Sequence, residues 1–147
     1  MSDKPLTAAV VDVSIVVKWL LPEPDSAAAV EQRRQWEANG LVPVAPDFLL
    51  IELHNVLWKK IQRNELAPEA PILTLAPTFG LDLRWFPFEP LLPLAWNLAS
   101  RCQVSMYDAL YAALAHQLHA SFYTADTKLA ERVGPVVSVH TLASSAR

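Results

Sequence analysis

A chain of 147 residues that is 52% hydrophobic and 18% charged holds enough apolar material for one packed domain, and its composition excludes general disorder. Its single cysteine, Cys102, rules out an intrachain disulfide, and its formal net charge of −3 excludes a generally basic nucleic-acid-binding surface, so any such contact needs a local patch or a cation that offsets acids. The N-terminal apolar run is interrupted by Asp12 and Lys18, lacks a small-residue cleavage site and is too short to span a bilayer, so a soluble, cytoplasmic protein is expected.

Ala8 to Val11 (AAVV) reads as a buried strand, because parallel strands covered on both faces are continuously apolar. Ser14 to Leu21 reads as a short helix stopped by Pro22 and Pro24. Asp25 and Ser26 are good N-caps for a helix reaching about Ala38, which Asn39-Gly40 ends. Leu41 to Ala45 is a second strand. Pro46-Asp47 opens a helix, FLLIELHNVLWKKIQRN. Glu69 to Thr78 is expected to be helical, Leu81 to Phe86 a strand and Leu91 to Cys102 a helix. Ser105 starts another helix, MYDALYAALAHQLHA, whose alanines allow close packing on a sheet. Phe122 to Thr124 is a strand, Thr127 to Arg132 a short helix and Val136 to Val139 a last strand. Strands alternating with helices predict a parallel sheet covered on both sides, with ligands bound outside the carboxyl ends of the strands.

Four acids fall where such a site opens. Asp12 follows the first strand, where its ordinary reading is an N-cap for the helix that follows. Ser14 would either do the capping or orient Asp12. Glu52 lies at the edge of the apolar face formed by Leu49, Leu53, Val56 and Leu57, on a stripe with Asn55, Lys59 and Arg63. It has no basic partner at i+4, where Val56 stands. Asp108 sits in Ser105-Met-Tyr-Asp108, a capping-box pattern at a helix start. Asp126 follows the strand FYT and is also a natural N-cap, with Thr124 beside it. Carboxylates crowded together repel one another, and a divalent cation removes that penalty. All-oxygen ligands favour Mg²⁺ or Mn²⁺ over Zn²⁺.

Other features point to structure. His116 and His119 share a helix face without a third zinc ligand, and no glycine-rich phosphate loop is present. Trp36, Trp58, Trp85 and Trp96 fall on apolar faces and read as core or interface. Arg33, Arg34, Lys59, Lys60 and Arg63 read first as solvated helix faces, with phosphate contact as the alternative.

The segments VVDVSIVVKWLLPE, APDFLLIELHNVLWK, SMYDALYAALAHQL and FYTADTKLAERV resemble the PIN-domain ribonucleases, and more narrowly the VapC toxins of bacterial toxin–antitoxin pairs. The ordered set D-x-S, P-x-x-x-x-x-E-x-x-N-x-L, Y-D-A-x-Y-x-A-L-A and T-x-D-x-x-L carries the resemblance over nearly the whole chain. It implies a single domain over residues 1–147 with a three-layer α/β/α fold and a central parallel sheet of about four to five strands. It also implies a metal site at Asp12, Glu52, Asp108 and Asp126, flanked by the hydroxyls of Ser14 and Thr124. The implied activity is a Mg²⁺-dependent (or Mn²⁺-dependent) endoribonuclease, the implied partners an RNA substrate, a small antitoxin and a second copy of the chain. Nothing is carried over by residue between Pro68 and Pro93.

Three alternatives belong beside this reading. A receiver-like signalling domain needs an acceptor Asp after a middle strand and a Lys after a late one, and neither Leu41–Ala45 nor Leu81–Phe86 ends that way. A degenerate, non-catalytic interaction partner would not need four intact acids. A PIN nuclease of RNA processing, without an antitoxin, would share the same site.

Overall fold

The structure, a computed structural model, describes residues 7–69 and 83–142. At its centre lies β1 (Ala8–Val11), with all four residues buried, as its unbroken apolar run requires. β1 pairs in parallel with β2 (Val42–Pro46) on one side and β4 (Ser121–Thr124) on the other. The edges are β3 (Arg84–Phe86) and β5 (Val139–Thr141), giving the order β3-β2-β1-β4-β5. Six described helices flank the sheet: α1 (Val13–Leu20), α2 (Ser26–Ala38), α3 (Leu49–Gln62), α4 (Leu92–Cys102), α5 (Met106–Leu118) and α6 (Thr127–Val133). This is the three-layer α/β/α arrangement, with a five-stranded parallel sheet.

The strand order sets the position of the site. From β1 the chain winds outward through β2 to β3, then crosses back to β4 and continues to β5 on the other side. The connections leaving β1 and β4 therefore diverge, and a crevice opens between their carboxyl ends. Val11 lies opposite Tyr123 in the ladder, so Asp12 and Thr124 come out at the same level of that edge.

α5 carries the site from behind. It packs on α4 and lies against β1, β2 and β4. Ala109, Ala112, Ala113 and Ala115 are fully buried, together with Leu110, Tyr111 and Leu114. Bulk at the alanine positions would push the helix away from its neighbours.

Several local expectations need correction. The last strand is Val139–Thr141, not Val136–Val139, because the N–H groups of Val136 and Val137 both turn back onto the Val133 carbonyl and leave the ladder. Pro46 ends β2 rather than opening a helix, and α3 starts at Leu49. The Asp47 carboxylate caps nothing; it accepts from the Phe88 N–H at 3.2 Å and ties the end of β2 to the segment after β3. Asp25 occupies the N-cap of α2 in a left-handed conformation, φ 68°, without a side-chain cap bond. Ser26 does the local bonding instead, accepting from Glu23 N–H and donating to the Leu21 carbonyl. The edge strand β3 starts at Arg84; Leu81 and most of the helix expected over Glu69 to Thr78 lie outside the described residues.

Ala112→Leu places three extra carbons where α5 has no free surface. It is expected to lower the stability by roughly 1–3 kcal/mol, read from the urea midpoint at unchanged slope. An unchanged midpoint would show that the α5 interface has room.

Candidate active site

Asp12 is the first residue past β1 and the N-cap of α1. Its Oδ1 accepts from the Ser14 N–H at 3.1 Å and from the Ser14 hydroxyl at 2.5 Å. Its Oδ2 accepts from the Thr124 hydroxyl at 2.6 Å. The capping role and the site role therefore coexist in one side chain. Ser14 Oγ in turn accepts from the Ala125 N–H at 2.9 Å, and Thr124 Oγ1 accepts from the Asp126 N–H at 3.1 Å. These contacts lace the start of α1 to the turn after β4 across the crevice. Asp12 is only 5% exposed, and burial pushes its carboxyl up to about 6, against the pull of the Ser14 and Thr124 bonds.

Glu52 projects from the first turns of α3 and receives the Tyr111 hydroxyl on Oε1 at 2.5 Å. Tyr111 is 1% exposed, stacked on Phe122 and packed against Phe48. Burial and the neighbouring Glu52 carboxylate hold its phenol well above the ordinary value, so it stays a donor. Burial raises the Glu52 carboxyl, the Tyr111 bond opposes that, and the charge of Asp108 adds to it. Sequence reasoning did not assign Tyr111 a role. The available signal is its spacing, one turn after Asp108 on the same face of α5.

Asp108 lies in the first turn of α5, whose N-cap Ser105 accepts from the Asp108 N–H at 3.1 Å. Its carboxyl is raised, first by burial and then by the charge of Asp126, with the Ser105 hydroxyl opposing. Its own charge raises both Asp12 and Glu52. Asp126, the N-cap of α6, spends Oδ1 on the Leu129 N–H at 3.0 Å. Asp108 is thus the one acid that feels or is felt by the other three.

Among the described residues, no ion pair engages any of these four acids. Lys18, the nearest base in sequence to Asp12, donates to the Pro24 carbonyl and pairs with Glu23. Lys60 also pairs with Glu23, at 3.0 Å, which removes it from the phosphate contacts considered for the α3 bases. Asp12, Glu52 and Asp108, each raised by burial and by a neighbouring carboxylate's charge, form with Asp126 a set of oxygen donors suited to a hard divalent cation. Among the described residues no group of three or more His, Cys, Asp or Glu side chains closes on a single point.

The sequence profile of the PIN domain matches residues 9–134. Over 131 residues the chain is 30% identical to Ribonuclease VapC3 of Pyrobaculum aerophilum, covering 88% of this chain and 97% of that protein. It is 35% identical over 92 residues to Ribonuclease VapC1 of Mycobacterium tuberculosis, covering 61% of this chain and 67% of that protein. Among solved structures, VapBC2 from Rickettsia felis bound to a DNA fragment from its promoter matches with a TM-score of 0.67. That likeness holds at 16% identity, over 92% of this chain and 98% of the other, and is one of fold. With its acids at the carboxyl edge of a five-stranded parallel sheet, the chain belongs to the PIN-domain family, and its sequence is VapC-like.

Proposed function

We propose that this chain is an endoribonuclease toxin of the VapC kind, which hydrolyses RNA phosphodiester bonds with Mg²⁺ or Mn²⁺. The observation that carries the reading is that the charge of Asp108 acts on Asp12 and Glu52, and that of Asp126 on Asp108, around the sheet's switch point. Asp12 and Asp108 would hold the ion directly, Glu52 and Asp126 directly or through water. Such an ion, when bound, makes a water acidic enough to attack phosphorus near neutral pH and offsets charge on the transition state. The chain's own contribution is positional. Ser14 and Thr124 fix both oxygens of Asp12, and Tyr111 fixes one oxygen of Glu52 and opposes the burial that would keep it protonated. The proposed partners are an RNA substrate, a small antitoxin and a second copy of the chain. Ile51 and Trp58 on α3 and Trp96 on α4 are 73%, 57% and 72% exposed and supply apolar surface for protein contacts.

Asp12→Asn and Asp108→Asn are each expected to lower RNA cleavage by about a hundredfold or more near neutral pH, with circular dichroism unchanged. Parent-level cleavage by either variant would sink the assignment. Tyr111→Phe removes the bond that favours ionised Glu52. Cleavage should fall by roughly tenfold, and the acid limb of the pH–rate profile should move to higher pH. A profile that keeps its position would deny Tyr111 this role.

The metal itself has a thermodynamic signature. The unfolded chain releases the Asp12 proton near its ordinary 3.8, whereas the folded metal-free protein holds it to about 6. The native state therefore binds more protons across that window, and stability falls as pH rises through it, by roughly 3 kcal/mol. Above it, Asp12→Asn should melt higher than the parent in chelator. Added Mn²⁺ should raise the parent's melting temperature and leave the variant's nearly unchanged. Equal shifts in both would count against a metal at Asp12.

A further inference from the structure

Beside the acids lies a depression of about 190 Å³ that joins Asp108 and Asp126 to Lys128, Arg132, Ser105 and Gln103. It is the place where the acidic crevice meets positive charge. Lys128 and Arg132 stand four residues apart on α6 and so share a face, an arrangement of like charges that weakly disfavours the helix. Among the described residues neither makes an ion pair, although Asp126 lines the same depression. The Asp126 carboxylate is turned to the Leu129 N–H instead. Arg132 is oriented by one bond, from Nη1 to the Gln103 carbonyl at 2.6 Å, which leaves the rest of its guanidinium fork to solvent. By contrast, Lys18, Lys60 and Arg34 are engaged with acids, and Arg33 covers the Trp19 ring.

Resting on the nuclease reading, we infer that Lys128 and Arg132 form a backbone-phosphate subsite, which takes a phosphate of the RNA strand adjacent to the bond cut at Asp108. A net-negative protein with four acids at its reaction centre repels a polyanion. One pair of uncommitted cations at the rim gives the strand a place to lie while the scissile phosphate faces the acids. A planar fork beside an ammonium suits a phosphate's separated oxygens. Both are positioning residues and read no base, so the effect should not depend on sequence.

The test is binding of a fluorescein-labelled single-stranded RNA to the full chain in an Asp12→Asn background with Mg²⁺, titrated over a range of KCl. Lys128→Gln and Arg132→Gln should each reduce the slope of log affinity against log salt by about 0.7, and together weaken binding roughly tenfold at low salt. Arg132→Lys, which keeps the charge, should restore most of the loss. Arg34→Gln, whose charge is engaged with Glu31, should leave the slope alone. Unchanged slopes for both single variants would overturn the subsite. So would a loss confined to Arg132→Gln and matched by a lower melting temperature, since Arg132 would then only brace the turn at Gln103. If the parent neither binds nor cuts RNA, the nuclease reading falls first. If it cuts and the slopes stay, only the subsite falls.

Discussion

Two hydroxyls, from Ser14 and Thr124, meet on the buried carboxylate of Asp12, and through them the end of β1 is bound to the end of β4. Those strands are hydrogen-bonded neighbours on which the sheet turns back, so their carboxyl ends would otherwise diverge into separate loops. A carboxylate that has lost its water must be met by donors. Here each donor comes from a different limb of the switch point, and satisfying the charge also sets the width of the crevice. The Ser14 hydroxyl extends the tie to the Ala125 N–H, and the Asp126 N–H extends it to Thr124.

The rest of the site can be ranked by its distance from water. Asp12 is sealed, Glu52 and Asp108 are half-buried, and Asp126 is exposed with its carboxylate on a helix end. The gradient runs from the sheet outward, and the burden of desolvation runs with it: it is the leading cause of the raised Asp12, Glu52 and Asp108 carboxyls. A fold that only needed stability would have replaced these groups with apolar ones of the same size. Their retention, with donors on some oxygens and neighbouring carboxylate charge around them, is what the proposed cation site would require.

Much of this is legible from the chain alone, for local reasons. The unbroken AAVV run announces a central strand, and an acid directly after it belongs to the carboxyl edge. Asp126 carries both signals, an N-cap position and a place directly after β4, while Asp108 is marked by its first-turn place behind the Ser105 cap. The alanines of α5 announce close packing. What is not legible depends on contacts between distant parts of the chain. Nothing near Glu52 tells that Tyr111, 59 residues on, will reach it. Asp47 looks like a helix cap because the Phe88 N–H that claims it is 41 residues away. The misplaced final strand has a subtler cause: Val136 and Val137 have good strand residues, yet their N–H groups follow the exit of α6 back to Val133.

The bond between Asp12 and Thr124 spans 112 positions of the chain. Every parallel pairing around it is also non-local, and the junction of β1 with β4 cannot form until β4 has been made. During synthesis, the residues through α5 emerge with Asp12, Glu52 and Asp108 before the strand whose Thr124 completes the tie to Asp12. Until β4 is made, a nascent chain therefore carries Asp12, Glu52 and Asp108 without the crevice that β1 and β4 form together.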